Sequence, residues 1–148
     1  MRICVIDGRG GGLGSRLVAG LQSELGSAHH IVALGTNNVA AAAMKQAGAV
    51  QVGVGSRAIA GTLPSVDVIV ASLNLVLPGV MLGEVTPEIV QAILGARATK
   101  VLLPLNRVRL EIVGAGTSTL EALITESLSR VRSLVNSARP ASAGSSKS

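Results

Sequence analysis

The sequence predicts an α/β fold of the Rossmann-like type, with a three-layer, doubly wound, mainly parallel sheet and one antiparallel edge strand. Two observations carry this prediction. Short apolar runs alternate with helical patterns four or five times along the chain, which is typical of a parallel sheet with helices on both faces. The first apolar run also leads directly into a helix through a glycine-rich segment, residues 8–14, which we call the glycine loop.

The apolar patterns predict parallel strands at residues 2–6, 31–34, 50–54, 66–71 and 101–103, separated by helices at 13–25, 39–47, 56–60 and 87–95. Residues 2–6 are almost continuously apolar, which favours a strand buried on both faces. Thr36, Asn37 and Asn38 are N-cap candidates for the second helix. Thr86, followed by Pro87, has the composition of a helix start.

The pattern changes after residue 107. Val108, Leu110 and Ile112 alternate with charged residues, which predicts the half-exposed antiparallel edge strand. Residues 118–121 have the sequence of a capping box and begin a final helix. We therefore expect a single domain over residues 1–136 and a disordered tail, rich in Ser, Ala and Gly, over residues 137–148.

The composition excludes several classes of function. The chain has no Phe, Tyr or Trp, so it cannot stack bases on aromatic side chains or use a tyrosine acid. Its net charge of +5 is scattered rather than arranged in a stripe, which argues against nucleic-acid binding. Cys4, the only cysteine, lies between Ile3 and Val5 and is predicted to be a small buried hydrophobe.

The low charge content predicts self-association. Charged residues make up only 14% of the chain, so part of the surface must be apolar, and we expect a homo-oligomer such as a dimer. The longest apolar region is interrupted by Asp67, Asn74 and Pro78, which argues against a membrane span. With no signal-peptide pattern at residues 1–7, we expect a cytoplasmic protein.

The glycine loop is the main candidate site. Gly8, Gly12 and Gly14 match the G-x-x-x-G-x-G spacing of short-chain dehydrogenases, whereas no lysine stands where a P-loop needs one. Backbone N–H groups at Gly10, Gly11 and Gly12 would hold a phosphate at the start of the helix. The alternative interpretation is a glycine-rich turn that binds nothing.

The identity of a cofactor stays open at this point. NAD(P) or another nucleotide fits the loop, but no carboxylate follows the second strand, where NAD-binding folds usually place one. Thr36 and Asn37 could bind a sugar there or simply cap a helix. A tyrosine-dependent short-chain dehydrogenase is excluded because the chain has no tyrosine, and whether the protein is an enzyme is undecided.

Two carboxylates are weak catalytic candidates. Asp7 could accept hydrogen bonds from the loop's own N–H groups, hold a ribose or Mg²⁺, or act as a base. Glu84 could be a general acid or base, or only favour a helix N-terminus. It ends an almost entirely apolar segment, residues 73–85, which is either a lid or a subunit interface.

The remaining polar pair is Asn106 and Arg107, which follows the fifth strand. Arg107 could clamp a phosphate and Asn106 could read a base or sugar, or both could simply form a hairpin turn. His29 and His30 have no nearby acid or cysteine, so we predict no metal site. The predicted ligand-binding set is Gly8, Gly10, Gly11, Gly12, Gly14, Thr36, Asn37, Asn106 and Arg107.

Four separated segments, residues 5–12, 33–37, 81–87 and 103–107, resemble a family of short bacterial proteins known only as a domain of unknown function. The resemblance extends over about residues 1–134. It implies a Rossmann-like domain and no catalytic residues.

The sequence therefore supports three hypotheses. The first is binding of a nucleotide or another phosphorylated small molecule at the glycine loop. The second is a non-catalytic, homo-oligomeric interaction or regulatory protein whose segment 73–85 is the interface. The third is a small hydrolase or isomerase that uses Asp7 and Glu84.

Overall fold

The computed structural model describes residues 1–105, 110–116 and 118–138. Its strands are β1 (Arg2–Asp7), β2 (His30–Gly35), β3 (Gln51–Val54), β4 (Val68–Ser72) and β5 (Thr99–Leu103). Its helices are α1 (Gly12–Leu25), α2 (Asn38–Gln46), α3 (Gly55–Thr62), α4 (Pro87–Gly95) and α5 (Leu120–Ser137). Short 3₁₀ turns lie at Gly26–Ala28, Leu63–Ser65 and Leu73–Val76.

The five strands form one parallel sheet in the order β3-β2-β1-β4-β5. This is the strand order of a Rossmann-like fold, in which the chain winds away from a central first strand in both directions. The strands all run parallel, but the direction in which the chain winds across the sheet reverses between β1 and β4. Such folds bind ligands in the crevice beside the carboxyl ends of these two strands. The glycine loop and the segment after β4 both start at that edge.

Two apolar clusters cover the two faces of the sheet. One contains Ile3 and Val5 of β1 with residues of α1, α2 and α5, and the other contains Cys4 and Ile6 with residues of α3 and α4. Successive residues of β1 therefore point into different layers, and all four are at most 1% exposed. The predicted three-layer arrangement is confirmed, and the burial explains why residues 3–6 of this strand are all apolar.

Cys4 is fully buried, as the sequence predicts. Burial in apolar surroundings raises the pKa of its thiol far above the ordinary value, and the nearby positive charge of Arg2 opposes this only weakly. A thiol in this state is an inert part of the core.

The helix starts follow the predicted caps, with one exception. Asn37 accepts a hydrogen bond from the Ala40 N–H group at 2.8 Å, and Thr86 accepts one from Ile89 at 3.3 Å. The capping box at residues 118–121 is wrong, because Thr119 rather than Ser118 caps α5. Glu121 is then one position too early in the helix to accept a hydrogen bond from the backbone N–H group of the N-cap residue. It forms an ion pair with Arg16 of α1 instead.

The predicted antiparallel edge strand is also wrong. Leu110 and Ile112 belong to no strand and are 42% and 45% exposed, and every strand in the described ranges is parallel. Gly114 and Gly116, both at positive φ, turn the chain toward α5, which packs against β5. Three alternating apolar residues are too short a pattern to distinguish a strand from an extended loop.

The proposed division at residue 136 stays a prediction. Helix α5 continues to Ser137, and residues 139–148 lie outside the described part of the chain. Within the residues described, no helix is both long and apolar enough to cross a bilayer.

Candidate functional site

Asp7, the last residue of β1, holds the two ends of the glycine loop together. Its carboxylate accepts hydrogen bonds from the Gly8 N–H group at 2.7 Å (to Oδ1) and from the Gly14 N–H group at 2.6 Å (to Oδ2). The side chain is only 5% exposed. Of the three predicted roles, the geometry matches the first, in which Asp7 satisfies the loop's own donors.

Three of the loop glycines are required by close packing. A Cβ at Gly8 would lie 2.6 Å from Thr36 Oγ1, and one at Gly14 would lie 2.6 Å from Met44 Sδ. Gly11 has a φ of 74° and would place a Cβ 2.8 Å from the Ala40 Cα. The absence of these side chains therefore allows the loop to lie directly against α2 and the end of β2.

The other two glycines face open space. A Cβ at Gly10 or Gly12 would meet no atom within 4 Å. In the described part of the chain, the N–H groups of Gly10, Gly12 and Leu13 have no hydrogen-bond acceptor. They lie at the N-terminus of the 14-residue helix α1, where the helix dipole favours an anion.

Glu84 joins three separate segments of the chain through a single oxygen atom. Its Oε1 accepts hydrogen bonds from the Arg9 N–H group at 3.0 Å, from Thr36 Oγ1 at 2.5 Å and from Asn37 Nδ2 at 2.9 Å. These donors belong to the glycine loop and to the turn after β2, whereas Glu84 itself follows β4. The carboxylate thus fixes the relative position of all three segments.

The environment of Glu84 favours its charged form. Partial burial raises the pKa, but the hydrogen bonds from Thr36, the Arg9 backbone and Asn37, with the positive charge of Arg9, together lower it below the ordinary value of 4.5. Glu84 is therefore ionised at neutral pH and has no proton to give as a general acid. Among the described residues, no group donates a hydrogen bond to its second oxygen, Oε2.

We expect Glu84→Gln to destabilise the fold more at neutral pH than in acid. Folding lowers the pKa of Glu84, so its charge stabilises the folded state fully above the ordinary pKa that the group has in the unfolded chain. This contribution is lost as the pH falls through the lower, folded pKa. Urea denaturation of both proteins at about pH 7 and about pH 3 should therefore give a difference that shrinks in acid.

The control for this experiment is Glu88→Gln, which removes an exposed glutamate in the first turn of α4. That side chain makes none of the three hydrogen bonds. A Glu84→Gln difference that stays constant across the pH range would contradict the assignment of these bonds to the ionised carboxylate.

Asn74 is a polar residue that the sequence analysis did not select. It lies just beyond β4, and its backbone N–H group donates to Ser72 Oγ at 3.0 Å. The side chain is 1% exposed, and both of its amide atoms lack a hydrogen-bond partner in the described part of the chain. A buried amide without hydrogen bonds lowers the stability of the fold. The signal in the sequence that could have identified this residue is a single asparagine between two leucines.

Segment 73–85 is apolar mainly because it contributes to the core. Leu75, Met81 and Val85 are buried in the cluster formed with α3 and α4. The exception is Leu82, which is 93% exposed and, like Met81, has a positive φ. The apolar composition therefore does not by itself require a subunit interface.

The other predicted residues do not join this cluster. Asn106 and Arg107 lie outside the described residues. His29 contacts the N-terminal amino group at 3.2 Å, before the start of β2 and thus at the opposite edge of the sheet. Within the described ranges, no group of three or more His, Cys, Asp or Glu residues could hold a metal ion.

A cavity of about 730 Å³ opens at the same edge of the sheet as the glycine loop. It is lined by Leu73 after β4, by Pro104 and Leu105 after β5, and by residues between 110 and 123. A second cavity of about 630 Å³ lies between β5 and α5. The glycine loop lines neither of them, so its open N–H groups lie on the surface rather than in a deep pocket.

Comparison with known proteins places the chain in a family. Residues 2–136 match the family described as Domain of unknown function (DUF3842). The chain belongs to this family. No curated protein sequence matches this DUF3842 chain. The predicted resemblance to a family known only as a domain of unknown function is confirmed, whereas the bacterial origin stays a prediction.

One solved structure has a similar course of the chain. It is a dodecameric FMN-dependent UbiX-like decarboxylase from Escherichia coli O157:H7, with a TM-score of 0.44 and 11% sequence identity. The alignment covers 92% of the DUF3842 chain and 94% of the decarboxylase chain. A similarity at this level supports no statement about a ligand or an activity of the DUF3842 chain.

Proposed function

We propose that this protein binds a nucleotide or another phosphorylated small molecule at the glycine loop. The observation that carries the proposal is the set of N–H groups at Gly10, Gly12 and Leu13. They have no acceptor among the described residues, and nothing lies within 4 Å of a Cβ at either glycine. A phosphate placed there would accept hydrogen bonds from the backbone and interact favourably with the dipole of α1.

The carboxylates restrict where a phosphate can bind. Asp7 already accepts hydrogen bonds from Gly8 and Gly14, and Glu84 accepts one from Arg9. A phosphate must therefore use the central part of the loop, residues 10–13, and keep away from both negative charges. The exposed Arg9 side chain supplies a positive charge next to this position.

Thr36 and Asn37 have a supporting role in this proposal. The Thr36 hydroxyl donates to Glu84, and the Asn37 amide caps α2 and also donates to Glu84. The capping role that the sequence suggested for Asn37 is thus present in the structure. Direct contact of either side chain with a sugar stays a prediction, as do the roles of Asn106 and Arg107.

A thermal-shift experiment tests the proposal. We expect AMP, ADP, GTP, NAD, NADP or FMN at millimolar concentration to raise the melting temperature. A ligand present at 100 times its Kd adds about 2.7 kcal/mol to the folded state, which corresponds to roughly 5–10 °C for a domain of this size.

Gly10→Asp is the variant to compare, since its side chain would project into open space and place a negative charge where the phosphate binds. Gly61→Asp, at another glycine with nothing within 4 Å, controls for the added charge. The shift should disappear in the first variant only. If no compound in the set stabilises the wild-type protein, the proposal is wrong.

The homo-oligomeric alternative stays a prediction. The apolar composition of segment 73–85 gives it little support, because Leu75, Met81 and Val85 are buried within the chain itself. Leu82 and Val113, 93% and 101% exposed, are the most exposed large apolar side chains among the described residues, and a partner subunit would cover them.

A further inference from the structure

The carboxylate missing after β2 is supplied by another segment of the chain. In Rossmann folds that bind dinucleotides, an acidic residue at the end of the second strand accepts a hydrogen bond from the ribose 2′-hydroxyl. This chain has Thr36 and Asn37 after β2 instead. Both side chains donate to Glu84 Oε1, at 2.5 and 2.9 Å. A carboxylate thus lies at the end of β2, although its residue follows β4.

The same carboxylate also lies against the glycine loop. Its Oε1 accepts a hydrogen bond from the Arg9 N–H group at 3.0 Å and would lie 2.9 Å from a Cβ at Gly8. Gly8 follows β1 directly, so the carboxylate stands between the ends of β1 and β2. A nucleotide whose phosphate lies over Gly10 and Gly12 would have its ribose within reach of this position.

The two oxygen atoms of Glu84 differ in a way that suits a ligand. Three protein donors already fix Oε1 in place, whereas Oε2 receives no hydrogen bond from the described residues. The side chain is only half-buried, and Oε2 is not among the unpartnered polar atoms that are buried, so it is accessible to a ligand. An ionised carboxylate oxygen accepts hydrogen bonds from hydroxyl groups and repels phosphate.

We propose that Glu84 Oε2 accepts a hydrogen bond from the ribose 2′-hydroxyl, so that the ligand is a ribonucleotide in which this hydroxyl is free. Deoxyribonucleotides would lack the donor, and 2′-phosphorylated nucleotides would bring a second negative charge to the carboxylate. This inference rests on the proposed function. It goes further in assigning a sugar-binding residue and in predicting which nucleotides the site rejects.

Calorimetric titration of the full chain with matched pairs of nucleotides tests the inference. The pairs are ADP with 2′-deoxy-ADP, GDP with 2′-deoxy-GDP, and NAD with NADP. For any pair that binds the wild-type protein, we expect the first member to have a Kd at least about tenfold lower than the second. This is the effect expected of one hydrogen bond to a charged group. In Glu84→Gln this preference should disappear, whereas Glu88→Gln should keep it.

The outcomes separate the two proposals. Equal binding of ribose and deoxyribose forms to the wild-type protein would overturn the sugar assignment and leave nucleotide binding standing. Tighter binding of NADP than of NAD would overturn it too, because the Arg9 charge would then outweigh that of Glu84. No binding of any compound would overturn both proposals.

The test does not depend on the stability of the variant. If Glu84→Gln fails to fold, the ribose–deoxyribose and NAD–NADP comparisons on the wild-type protein still decide whether a free 2′-hydroxyl is required. A repeat with Thr36→Val, which removes one donor to Oε1 and leaves the carboxylate present, should then reduce the preference without abolishing it.

Discussion

Replacing Gly11 with alanine should lower the free energy of unfolding by about 3 kcal/mol or more. The residue has a φ of 74°, a conformation that costs a residue with a side chain about 1–2 kcal/mol. The new Cβ would also lie 2.8 Å from the Cα and 2.9 Å from the carbonyl oxygen of Ala40. These are backbone atoms of α2, so the overlap can be relieved only by moving the helix, at a further 1–3 kcal/mol or so.

Gly10→Ala is the matched control, one residue away in the same loop. Its Cβ would meet no atom within 4 Å, and its φ is not positive. We expect its free energy of unfolding, from urea denaturation, to stay within about 0.5 kcal/mol of wild type. Equal effects of the two substitutions would show that contact with α2 does not determine the shape of the loop.

Asp7→Asn should cost about 2–4 kcal/mol of stability. The carboxylate uses both oxygen atoms to accept hydrogen bonds from Gly8 and Gly14, at 2.7 and 2.6 Å, in a site where Asp7 is 5% exposed. An asparagine would direct an NH₂ group at one of these N–H donors. One charge-assisted hydrogen bond is then lost and a buried donor is left without an acceptor.

Asp67→Asn provides the comparison for this substitution. The Asp67 carboxylate also accepts a hydrogen bond from a backbone N–H group, that of Arg2 at 2.8 Å, but Asp67 lies on the surface. We expect an effect below about 1 kcal/mol there, measured in the same urea experiment. An Asp7→Asn variant with wild-type stability that no longer binds nucleotide would instead make Asp7 a ligand-binding residue.

The parallel sheet and its helices could be predicted because their signals are local. Residues 3–6 are all apolar because both faces of β1 are covered. Asn37 caps α2 through an interaction within a single turn. The edge strand at residues 108–112 could not be judged in this way. Whether a short alternating segment pairs with a sheet depends on what covers the neighbouring strand, and here α5 packs against β5.

The site was predictable only in part, and for the same reason. The glycine loop and Asp7 are adjacent in sequence, so their contact could be anticipated. The meeting of Glu84 with Thr36 joins residues 48 positions apart and follows a turn in which Met81 and Leu82 adopt positive φ. Non-glycine residues seldom adopt this conformation, and no pattern in the sequence predicts it here.

The central position of β1 has a consequence for the assembly of the sheet. Ile3 pairs with Ile31 on one side and with Val68 on the other, so β1 is synthesised long before its second neighbour exists. Until β4 is synthesised, a strand with four consecutive apolar residues, 3–6, presents an open backbone edge, the kind of edge that pairs with other chains. Pairing over such a distance also slows folding. The strand that positions the glycine loop is therefore also exposed to mispairing while the chain is being synthesised.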